Sequence, residues 1–134
     1  MRFLRFVPWF FTGVLMILHG IAHGPGVLGS WNLATFEGTT RQPDFLLTSA
    51  SEVMLTILGA IWLVAAIAFV IAGIGVLRQA IWWPMATALA LVFSVPVTLL
   101  WRDDAVLGLM LNGVLLAFMA VWFLLGAREE QQFA

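Results

Sequence analysis

The chain contains no cysteine, no tyrosine and no lysine, so that every cationic side chain other than histidine is an arginine. Without cysteine, disulfides, thiol redox chemistry, iron–sulfur clusters and thiolate metal sites are excluded. Charged residues are also scarce, at 10% of the chain, whereas a soluble domain carries about 25%. The net charge of -1 gives no basis for binding nucleic acid, and we expect no such partner.

Most of the chain is apolar. Apolar residues make up 63% of the 134 residues, and the mean hydropathy is +1.05. A chain this apolar needs the lipid bilayer as its solvent, and its apolar residues form four segments, at 6–24, 52–77, 81–101 and 105–126. Each is close to the ~20 residues that cross a bilayer, and none alternates as a membrane strand does. The sequence predicts an all-α integral membrane four-helix bundle, a single domain over residues 1–134.

The first segment is expected to remain in the protein as a helix. Its apolar run is too long for a typical signal peptide, and Gly24-Pro25-Gly26 is not a small-residue cleavage site. Arginine favours the cytoplasmic side of a membrane. With the N-terminus inside, the inner side carries Arg2, Arg5, Arg78 and Arg128, and the outer side carries Arg41 and Arg102. The predicted orientation is N-in and C-in, with a long outer loop, 25–51, between helices 1 and 2.

The two histidines of the chain, His19 and His23, stand four residues apart in the first segment. On a helix this spacing turns a side chain by about 40°, so both imidazoles point the same way. Imidazole is costly in lipid and is usually kept there for a reason. Two imidazoles with one or two carboxylates can bind a divalent metal, for which Glu52 and Asp104 are the best-placed acids. The candidate metal ligands are His19, His23, Glu52 and Asp104.

Polar residues on the other segments lie at a similar depth. Glu52 and Thr56 share a face of the second segment, Ser94 and Thr98 share a face of the third, and Asp104 and Asn112 share a face of the fourth. Polar groups in lipid turn toward the bundle interior. We therefore predict a polar pocket around the histidines that is open to the outside. Its further lining residues are predicted to be Thr56, Thr98, Asn112 and Arg102.

Other ligands compete with a metal for this pocket. A quinone is a second possibility, because its carbonyls accept hydrogen bonds from histidine and tryptophan or phenylalanine could line its ring. A haem with two axial histidines is excluded within one chain, since both imidazoles lie on one face of one helix. The glutamate of zinc proteases is missing between His19 and His23. No nucleophile motif is present, so no catalytic residue is assigned.

Each polar group also has a purely structural interpretation. Glu52 completes a capping box with Ser49, and Asp104 precedes the fourth segment, where helix caps occur. The hydroxyls of Ser94 and Thr98 could satisfy backbone groups freed by Pro96. Asn112 could hold two helices together, and the histidines could donate to carbonyls near the Pro25 break.

Small residues predict close helix packing and an alternative function. Gly13, Gly20 and Gly24 form a ridge along the first segment that would let another helix approach. The pairs Ala68/Ala72 and Gly113/Ala117 offer two more such faces. If these faces are free, the protein could be a non-catalytic subunit of a larger membrane complex or a homo-oligomer.

The motif formed by His19, Gly20 and His23, in the first span of a small four-helix membrane protein, resembles that of a group of small bacterial membrane proteins. In architecture these are similar to the DoxX-like four-helix family, whose members are associated with respiratory or quinone-linked complexes. The resemblance implies a bacterial inner membrane location and a redox or quinone context. It assigns no catalytic residue.

Overall fold

The structure is a computed structural model that describes residues 2–44 and 49–132, with side chains over 9–44 and 49–124. It contains five helices in these residues: α1 (Arg2–Ala22), α2 (Gly24–Ser30), α3 (Glu52–Leu77), α4 (Trp83–Leu100) and α5 (Val106–Gln132). The described part of the chain has no strand. Four spans are long and apolar enough to cross a membrane: Trp9–Ser30, Glu52–Leu77, Trp83–Leu100 and Val106–Leu124. The predicted all-helical class is confirmed in the described residues, and so are four helical spans long and apolar enough to cross a membrane.

The predicted orientation depends on terminal arginines that fall outside the described side chains. These are Arg2, Arg5 and Arg128. The N-in, C-in orientation and the outer position of the loop stay predictions.

The first span extends further than the sequence indicated, because helix continues after Gly24 as α2 and ends at Ser30. Pro25 has no N–H and its ring crowds the carbonyl four residues earlier, so it interrupts a helix but is accepted in a first turn. The interruption lies at His23, whose N–H donates to the Gly20 carbonyl at 3.2 Å. The predicted end at Gly24 is therefore wrong: the proline breaks the span without ending it.

Glycine brings α1 into backbone contact with α3. A Cβ built on Gly13 would lie 2.9 Å from the Gly73 carbonyl oxygen, and one on Gly20 would lie 2.7 Å from the Ala66 oxygen. Real side chains do not tolerate such distances to backbone, so the two helices meet where only glycine fits. Gly24, the third member of the predicted ridge, has open space at its Cβ position.

The core lies between α1, α3 and α4, whereas α5 packs at its edge. Two apolar clusters fill the interior, one around Met16, Phe69 and Trp83 and the other around Trp62 and Trp101. The α5 span is 17% buried against 44% for α3. The remaining surface of α5 is apolar and suits contact with lipid.

The start of α3 is capped by Ser51, not by Ser49. The Ser51 hydroxyl accepts the Met54 N–H at 3.2 Å, and Glu52 is the first helical residue. Glu52 thus stands too early to close a capping box, and the predicted box with Ser49 is wrong. Its charge still favours this position, because helix N-termini attract anions.

Candidate functional site

Five buried polar residues from three helices form one hydrogen-bonded cluster, which we call the histidine network. None of them is more than 3% exposed. The network consists of His19 and His23 from the first span, Ser94 and Thr98 from α4, and Asn112 from α5. Polar groups buried in lipid-like surroundings are costly unless they are paired, and here they pair with one another.

The helix break explains how His23 is held. In a regular helix the His19 carbonyl would accept the His23 N–H, but that N–H donates to Gly20 instead. The His23 side chain replaces the backbone N–H as the donor to the His19 carbonyl, with Nδ1–H donating at 2.8 Å. The other ring nitrogen, Nε2, lies 2.8 Å from Ser94 Oγ. Both ring nitrogens of His23 are therefore occupied.

Asn112 links His19 to α4. Its Oδ1 lies 2.9 Å from His19 Nε2, and its Nδ2 donates to Ser94 Oγ at 2.8 Å and to Thr98 Oγ1 at 3.1 Å. The Thr98 hydroxyl itself donates to the Ser94 carbonyl at 2.8 Å. The predicted interhelical role of Asn112 is confirmed. The carbonyl that Pro96 frees is that of Val92, so Thr98 does not repair the proline gap.

Aromatic rings enclose the imidazoles. The ring centroids of His19 and Phe69 are 4.6 Å apart, and those of His23 and Trp62 are 5.1 Å apart. The two imidazoles stand edge to face at 4.8 Å. The network thus sits in a low-polarity environment, where hydrogen bonds are strong and unpaired polar atoms are costly.

A cavity of about 450 Å³ begins at the histidines and runs between the first span and α5. His19, Trp62 and Trp101 contribute to its walls. Its rim includes Pro25 and Leu107, both exposed on surface that would face lipid. At the end toward the loop it is lined by Thr39, Thr40, Arg41 and Asp104. The cavity therefore touches both a polar loop and the apolar surface of the bundle.

Unsatisfied polar atoms concentrate on residues that line this cavity. Among the described side chains, three buried nitrogen or oxygen atoms have no hydrogen-bond partner: Ser30 Oγ, Arg41 Nε and Trp62 Nε1. All three residues line the cavity. Two of the atoms can only donate a hydrogen bond, and the serine hydroxyl can donate or accept. The atoms themselves are buried beneath the cavity surface, so a ligand contacts them only if these side chains turn.

A second cluster, the loop clamp, joins the connection after α2 to the turn between α4 and α5. The Thr40 N–H donates to Asp104 Oδ2 at 2.6 Å, and the Thr40 hydroxyl lies between that oxygen, at 3.0 Å, and the Gln42 carbonyl, at 2.9 Å. Trp101 Nε1–H donates to the Thr40 carbonyl at 3.0 Å, and the Asp103 N–H donates to Asp44 Oδ2 at 3.2 Å. We include in the loop clamp the ion pair of Arg41 with Glu52. The loop clamp fixes the end of the cavity toward the loop, which we call the cavity mouth.

The two carboxylates predicted as metal ligands serve the loop clamp. Glu52 pairs with Arg41 through both oxygens, at 2.8 and 2.6 Å, and does not line the cavity. The hydrogen bond to Glu52 raises the pKa of the Arg41 guanidinium, which stays charged at any physiological pH. Asp104 lines the mouth but is engaged by Thr40.

Of the four residues predicted to line the pocket, one lines the cavity, and a second belongs to the histidine network. Thr98 lines the cavity, and Asn112 lies behind His19 in the histidine network. Thr56 is exposed and donates to the Glu52 carbonyl, and Arg102 is exposed beside Asp103. Neither Thr56 nor Arg102 contributes to the cavity wall.

The residues that the sequence missed are Ser30, Arg41 and Trp62. The sequence predicts that the first helix ends at Gly24, which places Ser30 in the loop. The signal for Trp62 was its depth within a span, since tryptophan prefers the membrane interfaces. Among the described residues, no group of three or more His, Asp or Glu side chains is placed to hold a metal ion.

Comparisons with protein-family models, with curated proteins and with solved structures found no match to this chain.

Proposed function

We propose that this protein is a membrane-embedded binding protein for quinone-class molecules, with the head group in the cavity beside His19. The cavity is outward-facing in the predicted N-in, C-in orientation. The observation that carries the proposal is one cavity that has tryptophan and an imidazole in its wall and that also reaches the apolar flank of the bundle. A quinone head group is a flat ring with oxygens at both ends, and tryptophan walls suit such a ring.

The rim of the cavity supports entry from the bilayer. Pro25 and Ala22 on one side and Val106 and Leu107 on the other are exposed on the apolar flank of the bundle. A ligand with an apolar tail can leave that tail in lipid while its polar head enters between the first span and α5. A purely water-soluble ligand would have no use for such a flank.

The donor chemistry favours an oxygen-bearing ligand over a divalent cation. The guanidinium of Arg41 in the cavity wall carries a positive charge, which repels a cation and attracts acceptor oxygens. His23 has no ring nitrogen free for a metal, because both accept or donate hydrogen bonds within the protein. Metal binding stays a prediction that the described ligand set does not favour.

The experiment is a binding titration of the purified protein in lipid nanodiscs with a short-chain quinone. The test variant is Gly108→Leu. A Cβ on Gly108 would meet Thr98 and His19 at 3.4 and 3.8 Å, so the backbone accepts it while the rest of the side chain enters the cavity. The matched control is Gly113→Leu on the same helix, where the Cβ meets open space.

We expect saturable binding to wild type and to Gly113→Leu, and its loss in Gly108→Leu. Equal binding by all three proteins would place the quinone elsewhere and contradict the proposal. Elemental analysis of the same preparation covers the competing hypothesis. A stoichiometric metal that disappears in a His19→Ala/His23→Ala variant would favour a metal site.

An accessory subunit is the second candidate, and one observation favours it. Ala68 and Ala72 are buried within the bundle, but Gly113 and Ala117 are exposed on α5. One of the two small-residue faces is therefore available to another membrane helix. Cross-linking through cysteine placed at Gly113, in a chain that has no other cysteine, would detect a neighbour there.

A further inference from the structure

The hydrogen-bond polarity of the histidine network can be followed atom by atom, beginning at His23. A carbonyl oxygen only accepts, so the 2.8 Å contact with the His19 carbonyl requires a proton on His23 Nδ1. In the neutral ring Nε2 is then an acceptor, and the Ser94 hydroxyl donates to it. The single hydrogen of Ser94 is thereby used, so the 3.1 Å contact of Ser94 Oγ with Asn112 Oδ1 carries no hydrogen.

This fixes the orientation of the Asn112 amide. The Thr98 hydroxyl donates to the Ser94 carbonyl, so Ser94 Oγ and Thr98 Oγ1 can both only accept from Asn112. The amide nitrogen must therefore face them. With the amide reversed, its oxygen would face Ser94 Oγ at 2.8 Å with no hydrogen between them, whereas in the assigned orientation the oxygen lies farther away, at 3.1 Å.

The amide oxygen of Asn112 consequently faces His19 and requires a proton on His19 Nε2. The second ring nitrogen, Nδ1, then carries a lone pair. It has no partner among the described residues, and it is not one of the buried unpartnered atoms. Since His19 lines the cavity, Nδ1 is the nitrogen available to a ligand.

We infer that His19 presents a hydrogen-bond acceptor to the cavity, and that the ligand group beside it is a hydroxyl. This inference rests on the proposed function and narrows it to the reduced form, a quinol. A quinone carbonyl would place its lone pairs against the lone pair of Nδ1. A hydroxyl donates to Nδ1, and its oxygen keeps lone pairs for another donor.

Neutral imidazoles are a requirement of this assignment, and the surroundings of the network support it. The rings pack against Phe69 and Trp62. None of the hydrogen-bond partners of the network is a carboxylate. A buried charge without a counter-charge is strongly disfavoured. Asn112 is thus a positioning residue that selects the tautomer of His19.

The experiment compares three forms of one short-chain ligand under anaerobic conditions in nanodiscs: the quinol, the quinone and the dimethyl ether of the quinol. The ether keeps the reduced ring but cannot donate a hydrogen bond. We expect the quinol to bind wild type about tenfold more tightly than either other form, which corresponds to about 1.4 kcal/mol. In His19→Phe, which keeps a ring against Phe69, this advantage should vanish.

The outcomes separate the two proposals. Equal or tighter binding of the quinone or the ether to wild type overturns the inference and leaves the proposed function standing. Saturable binding of none of the three forms overturns both. The stability of His19→Phe is checked by thermal unfolding. If this variant is unstable, the relative affinities of the three ligands for wild type still test the inference.

Discussion

The histidine network and the loop clamp both bring distant parts of the chain together through side-chain hydrogen bonds, but they do so in opposite surroundings. The network residues are at most 3% exposed, whereas the Glu52 side chain in the clamp is 77% exposed. Water can replace the exposed bonds of the clamp, such as those of Glu52 and Asp104, while a broken bond in the network leaves a buried polar atom without a partner. The network therefore specifies one arrangement, and the clamp holds the mouth of the cavity reversibly.

The largest effect is expected where backbone contact supports the network. In Gly20→Ala the new Cβ would lie 2.7 Å from the Ala66 carbonyl oxygen, so α1 must move away from α3 and carry His19 and His23 with it. We expect a strong loss of thermal stability in detergent. Gly113→Ala, with open space at its Cβ, is the control. A neutral Gly20→Ala would show that this face of α1 does not touch α3.

The next largest effect is expected from Asn112→Leu. It leaves His19 Nε2–H without an acceptor and removes the amide hydrogens that Ser94 and Thr98 accept. We expect a loss of about 1–3 kcal/mol in the free energy of unfolding, typical of a stranded buried donor. Met110→Leu, on an exposed position of the same helix, should change little. Equal stability of the two variants would contradict the network.

A smaller effect is expected from Asp104→Ala in the loop clamp. The substitution removes the acceptor of the Thr40 N–H in a place where water can substitute, and the Thr40 hydroxyl keeps the Gln42 carbonyl as an acceptor. We expect a loss below about 1.5 kcal/mol together with faster exchange of a bound ligand, measured by stopped-flow mixing. Stability loss as large as that of Asn112→Leu would mean that the clamp is part of the core.

The smallest effect is expected from Arg41→Gln. The Arg41–Glu52 pair is exposed, and exposed pairs contribute little and are screened by salt. Raising the salt concentration should therefore make wild type and Arg41→Gln equally stable. The difference between wild type and Asn112→Leu should not respond to salt. A salt-insensitive effect of Arg41→Gln would contradict the solvent-exposed character of the clamp.

The sequence predicted the helical fold because composition and segment length alone decide it, and it predicted the Gly13 and Gly20 contacts because small residues repeat at helical spacing. It predicted that the histidines and Asn112 would meet, since polar groups in lipid face inward. It could not predict that Glu52 would pair with Arg41, because that depends on the path of an irregular loop. It also misjudged Pro25, because a proline can restart a helix as well as end one.

The central claim is that Asn112 holds His19 with its Nδ1 lone pair toward the cavity. Nitrogen NMR of protein labelled in histidine tests this without any ligand, because the chain has two histidines and so only a few ring nitrogens to assign. We expect opposite tautomers, with the proton on Nε2 in His19 and on Nδ1 in His23. The same tautomer in both rings, or a proton on His19 Nδ1, would contradict it.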